Sequence, residues 1–186
     1  MRIIAGDWRG RPLAALGKGD AGAHLRPTTD RVRESLFSAL AGGRYGDPLT
    51  DAVTLDLFAG TGALGLESLS RGAAHTTFVD DGRAALRLIR QNIATLNATE
   101  CTRVIARDAR RLPANEGPPA TLVFLDPPYG KSLGLPALCA AQSGGWIAPN
   151  ALIVWEEATE QSAPPGYTKH DARRYGDSWI TFLTHQ

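Results

Sequence analysis

Apolar and polar positions along this chain follow two periods, and the periods alternate. Five short apolar runs, at about residues 53–58, 75–80, 102–106, 120–125 and 151–156, read as buried strands. Helical patterns separate them at about 63–71, 82–96 and 133–143. In the second of these, Leu86, Ile89, Ile93 and Leu96 share one face, while Arg83, Arg87, Arg90 and Asn92 fall mostly off it. Such alternation predicts a mostly parallel sheet with helices on both faces. The two ends of the chain differ. Residues 167–175 and 178–183, joined by Gly176-Asp177, predict a C-terminal hairpin. At the front, residues 2–13 alternate and turn near Gly6-Asp7, which predicts a short hairpin. Residues 14–25 are rich in Gly and Ala and predict a mobile loop. Thr or Asp ahead of the run Arg31 to Leu40 marks a helix start, and Gly42-Gly43 ends that helix.

Two motifs lie at the predicted carboxyl ends of strands, where open α/β sheets bind ligands. Asp126-Pro127-Pro128-Tyr129 closes the run 120–125. The prolines fix φ and remove two N–H donors, so the backbone presents carbonyls. Asp126 and the Pro127 carbonyl can accept the two hydrogens of a planar exocyclic amine, and Tyr129 can stack on the ring that carries it. The ring alone is expected to suffice there, so Tyr129→Phe is expected to be tolerated. The second motif, Gly60-x-Gly62-x-x-Gly65, follows the run 53–58 and opens a helix. Its glycines allow positive φ and close approach of a ligand. With Asp80 about twenty residues on, it matches the dinucleotide fingerprint. By itself this serves NAD or S-adenosylmethionine equally well. The amine clamp favours the methyl donor, because hydride transfer has no use for it. Asp80 is expected to accept both ribose hydroxyls.

Composition narrows the class. With 186 residues, 43% of them hydrophobic, the chain predicts one domain with a proper core. Nothing approaches the length of a membrane span, and no signal peptide is visible, so a cytoplasmic monomer is expected. Two cysteines and four histidines are scattered without metal spacing, so no metal is expected. A net charge of +1 hides an asymmetry. Residues 1–44 carry eight basic and four acidic residues (+4), leaving twelve against fifteen (−3) in the rest. A basic front segment, 1–44, ahead of a catalytic segment, 45–186, suggests a surface for a polyanion. An ordinary solvated face is the competing explanation, and a non-catalytic RNA-binding module is the competing function.

A mostly parallel seven-stranded sheet ending in an antiparallel hairpin is the Rossmann-like architecture of class I methyltransferases. Four segments make the likeness specific: residues 2–13, Arg26 to Phe37, Leu55 to Ala73, and Phe124 to Gly130, with Tyr175-Gly176 near the end. On these segments the chain resembles the RsmD family, bacterial S-adenosylmethionine-dependent enzymes that methylate N2 of one guanine in 16S ribosomal RNA. The resemblance implies that activity, with free rRNA or a small-subunit assembly intermediate as substrate. The amine clamp itself leaves adenine N6 open. Asp126, Pro127, Pro128 and Tyr129 then form the catalytic set. Asp56 is expected to organise the glycine loop and reach the methionine part of the cofactor, or else to cap the turn. Phe58, Gly60, Gly62 and Asp80 complete that pocket. Asp108 is expected to hold the adenine amino group, with a helix cap as the alternative. The resemblance places Thr28 and Arg31 near the methionine end. Arg9, Arg11, Arg26 and Arg33 are the candidates for RNA phosphates.

Overall fold

A computed structural model describes residues 1–15 and 29–186. Arg26, Thr28 and most of the predicted loop 14–25 lie outside the described residues. The elements are α1 (Asp30–Ala41), β1 (Val53–Leu57), α2 (Ala63–Ser70), β2 (His75–Asp80), α3 (Arg83–Leu96), β3 (Thr102–Ala106), β4 (Ala120–Leu125), α4 (Gly134–Ser143), β5 (Ile147–Glu157), β6 (Tyr167–Tyr175) and β7 (Ser178–His185). The seven strands form one sheet in the order β3-β2-β1-β4-β5-β7-β6. Strands β1 to β5 are mutually parallel where they pair, and β7 runs antiparallel to both β5 and β6. This is the class I methyltransferase fold. The strand order reverses at β1 and β4, so the crevice between their carboxyl ends is the ligand-binding position of an open α/β sheet.

Burial explains the strand sequences. On one face Leu55, Leu57, Val123, Leu125 and Ile153 pack with Ala137, Leu138 and Ala141 of α4. On the other, Phe124, Val154, Ile180 and Phe182 meet Leu36, Phe37 and Leu40 of α1. The front helix thus belongs to the main core, and the charge boundary near residue 44 does not divide two bodies. Thr29 caps α1 by accepting a hydrogen bond from the Val32 N–H at 3.3 Å.

The N-terminal hairpin is brief, a single antiparallel bridge between Arg2 and Pro12. Outside the arm itself, its backbone finds most of its partners on α2. Glu67, wholly buried, accepts from the N–H groups of Ile4 (2.8 Å) and Ala5 (3.0 Å). Ser70 accepts from the Trp8 N–H through Oγ (3.0 Å) and from the Asp7 N–H through its carbonyl (2.8 Å). Asn92 of α3, expected on the solvent side, is fully buried because its amide has three partners. It accepts from the Ala14 N–H (2.7 Å) and donates to the carbonyls of Ala14 (3.2 Å) and Thr61 (2.9 Å). The arm is therefore fastened to the helix behind the glycine loop and to the loop itself.

Candidate functional site

Strand β1 ends abruptly. Phe58 adopts φ 60°, in the left-handed region that a bulky side chain rarely occupies. The kink turns the chain into the glycine loop, where Gly60 (φ 58°) and Gly62 (φ 76°) continue in the same region and Gly62 starts α2. Gly65 serves packing: a Cβ there would lie 2.4 Å from the Phe78 ring and 2.6 Å from Thr76.

Two acids hold this loop from opposite sides. Asp56 accepts from the Gly65 N–H at 3.0 Å and is 1% exposed. Burial pushes its pKa up to about 8, the Gly65 N–H opposes the shift, and the Asp80 charge adds to it. Its place is beneath the loop, so it organises the loop as expected. Asp80, at the end of β2, is half-buried and bridges two loops. Its carboxylate accepts from the Gly60 N–H at 2.9 Å and from the Gly82 N–H at 2.8 Å. Burial raises its pKa and these two N–H groups work against that. A carboxylate has roughly four acceptor positions, so about two remain for a diol.

Asp108 follows β3 and takes the alternative part. Its Oδ1 caps a short turn by accepting from the Arg110 N–H at 2.9 Å, and the Arg110 guanidinium pairs with it at 2.6 Å. That hydrogen-bonded ion pair holds its pKa below the ordinary carboxylate value. The cap that was the alternative is what the structure shows for Asp108.

The segment Asp126 to Tyr129, the expected amine clamp, stands beside the glycine loop. The Asp126 N–H donates to the Leu57 carbonyl at 3.4 Å, tying the end of β4 to the end of β1. Asp126, Pro128 and Tyr129 are half-buried and Pro127 is buried. The Tyr129 hydroxyl donates to Glu156 Oε1 at 2.8 Å and shares a 2.6 Å hydrogen bond with Ser178 Oγ. Burial, chiefly, raises the Tyr129 pKa; Ser178 opposes the rise, and the charges of Glu156 and then Asp126 add to it. The hydroxyl therefore ties the ring to β5 and β7, contacts that a reading of the ring alone leaves out.

The basic candidates divide. Arg9 and Arg11 are exposed on the arm, and Arg31 is exposed in the first turn of α1. Arg33 is fully buried. Its guanidinium pairs with Asp30 at 3.0 Å and approaches Glu67 at 3.7 Å, and it also donates to the Arg2 carbonyl. A side chain so enclosed has no phosphate to meet, and it is corrected to a structural cation. Reasoning from the sequence missed Glu67, Asn92 and Glu156. For Glu67 a signal existed: apart from two serines α2 is otherwise apolar, which marks a buried helix, and a buried acid must be paired. Among the described residues no group of acids, histidines and cysteines could hold a metal, and no helix is long and apolar enough to cross a membrane.

Comparison with known proteins adds to this geometry. The family model described as conserved hypothetical protein 95 matches residues 1–184. The ribosomal RNA small subunit methyltransferase D of Escherichia coli strain K12 is 43% identical over 164 residues, covering 88% of this chain and 78% of that protein. The protein of the same name from Haemophilus influenzae is 39% identical over 168 residues, covering 88% and 81%. The solved structure of yhhF from Escherichia coli covers 100% of this chain and 98% of its own, with 39% identity and a TM-score of 0.83.

Proposed function

This chain belongs to the conserved hypothetical protein 95 family, and on that premise we propose that it transfers a methyl group from S-adenosylmethionine to N2 of a guanine in small-subunit ribosomal RNA. The observation that carries the proposal is the amine clamp tied by the Asp126 N–H to the end of β1, beside the glycine loop. The relatives over the same residues are named rRNA methyltransferases, which favours this reading over a nicotinamide oxidoreductase.

The residues fit the cofactor. The positive-φ turn at Gly60 and Gly62 brings the loop backbone back across the end of β1, and Asp80 keeps acceptor positions for the ribose diol. The half-exposed Phe58 lines the same edge. When bound, the cofactor supplies an electrophilic methyl on sulfur.

The protein's own part concerns the amine. Guanine N2 is a weak nucleophile because its lone pair is delocalised into the ring. Asp126 and the Pro127 carbonyl accept its two hydrogens and draw the nitrogen toward a pyramidal geometry, which localises the lone pair. Asp126 also stabilises positive charge developing on nitrogen, in a half-buried site where such an interaction is strengthened. Tyr129, fixed through Glu156 and Ser178, holds the ring plane, and this positioning is the other source of rate. The target base leaves its stack to enter, at a cost of a few kcal/mol that is least for an unpaired base. Exposed Arg9 and Arg11 hold the phosphate backbone while the clamp reads the base.

The test is incubation of the protein with methyl-labelled S-adenosylmethionine and small-subunit rRNA, free and in assembling particles, followed by digestion to nucleosides. Label in N2-methylguanosine supports the reading. Label in N6-methyladenosine, or none, contradicts it.

A further inference from the structure

Glu156 is a buried acid beside the amine clamp, and among the described residues one of its oxygens has no partner. It lies at the end of β5, 6% exposed, opposite Ile180 of β7. Trp155 pairs in parallel register with Leu125, so Glu156 continues β5 at the level where Asp126 continues β4. Neighbouring strands run about 5 Å apart, and residues at one level of a parallel pair share a face. The Tyr129 hydroxyl occupies Oε1 at 2.8 Å. Among the described residues Oε2 is buried and accepts no hydrogen bond. A desolvated carboxylate oxygen in that state is costly, and a donor supplied by a ligand relieves the cost.

The purine edge next to the amine identifies that donor. In guanine, N2 adjoins N1–H, a donor. In adenine, N6 adjoins N1, which carries a lone pair. An amine clamp treats the two amines alike, whereas a carboxylate beside it attracts the first edge and repels the second. We propose that Glu156 is the specificity residue of the transfer: Oε2 accepts the N1–H of the flipped guanine, with Tyr129 holding the carboxylate in place through Oε1. This deepens the methyl-transfer reading and rests on it. Glu156 touches no reacting atom, and a Gln in its place can still accept from Tyr129, so that substitution should alter the choice of base more than the chemistry.

The probe is 2-aminopurine placed at the target position of a short RNA. It keeps the 2-amino group and has a lone pair in place of N1–H. The wild-type protein should methylate guanine with a kcat/KM roughly 10–100-fold above that for 2-aminopurine, the scale of one hydrogen bond to a charged acceptor. In Glu156→Gln the side-chain amide can donate to the bare N1, so the ratio should shrink to within a few-fold of unity while cofactor affinity stays unchanged. The wild-type ratio needs no variant, so it decides the matter even if Glu156→Gln folds poorly. Equal use of both bases by the wild type overturns the role of Glu156 and leaves the methyl-transfer reading standing. A preference that persists undiminished in folded Glu156→Gln also overturns it. Methylation of neither base overturns both.

Discussion

Replacing Glu67 by Ala should cost this protein a large part of its stability, although the residue lies in no predicted motif. Its carboxylate is wholly buried in α2. It accepts from the backbone of Ile4 and Ala5 at 2.8 and 3.0 Å, pairs with Arg71 at 2.8 Å, and faces the buried Arg33 at 3.7 Å. Removing one partner of a buried pair leaves the other charge without compensation, at about 3–5 kcal/mol. The N–H groups of Ile4 and Ala5 are only partly buried, so water recovers some of their loss. Taking about 4 kcal/mol, and about 2–4 °C per kcal/mol for a chain of this size, the melting temperature should fall by about 8–16 °C. Urea unfolding of the wild type and Glu67→Ala gives the free energy directly. Adding Arg33→Met to Glu67→Ala should restore part of the loss, because the stranded charge is then gone. A loss below about 1 kcal/mol, the range of exposed pairs, would refute the reasoning and show that the arm is not fastened through Glu67.

Three further outcomes follow from the site. The Asp56 pKa of about 8 lies above the ordinary value of 3.8, so between these values the folded chain keeps a proton that the unfolded chain has lost. Its contribution to stability therefore falls as pH rises through that window and levels off above about 8. Asp56→Asn should flatten the fall, and identical pH profiles of unfolding free energy would contradict this. Tyr129→Phe should destabilise the fold by about 1–3 kcal/mol and slow transfer, since Glu156 loses its donor; a variant as stable and fast as the wild type would refute the coupling. Arg9→Gln and Arg11→Gln together should weaken RNA binding and lower the log–log salt slope by roughly 0.7–0.9 for each phosphate that is no longer neutralised. An unchanged slope in a salt-series titration would place the RNA elsewhere.

Most of the fold was legible because periodicity is local. The alternating apolar runs and helical faces predicted strand ends within a few residues, apart from the early start of β5 at Ile147. The glycine loop and Asp126 were legible because turn chemistry is local as well. The polar interior was not. Arg33 looked like a phosphate ligand because charge counting does not reveal a carboxylate waiting on α2. Asn92 looked solvent-facing because its partners, Ala14 and Thr61, arrive from distant parts of the chain. Glu156 carried no signal at all, since only the β4–β5 register brings it beside Asp126.

The central claim is that Asp126 accepts the hydrogens of the attacked amine. Single-turnover methyl transfer by Asp126→Ala, with cofactor affinity measured on the same preparation, tests it most directly. In the proposed reading the cofactor is held from the Gly60 and Asp80 side, so its affinity should stay nearly intact. The transfer rate should fall at least ~100-fold, the scale of losing one group that stabilises developing charge. A variant that binds the cofactor normally and still transfers at more than about a tenth of the wild-type rate, an effect below ~1.4 kcal/mol on the barrier, would contradict the account.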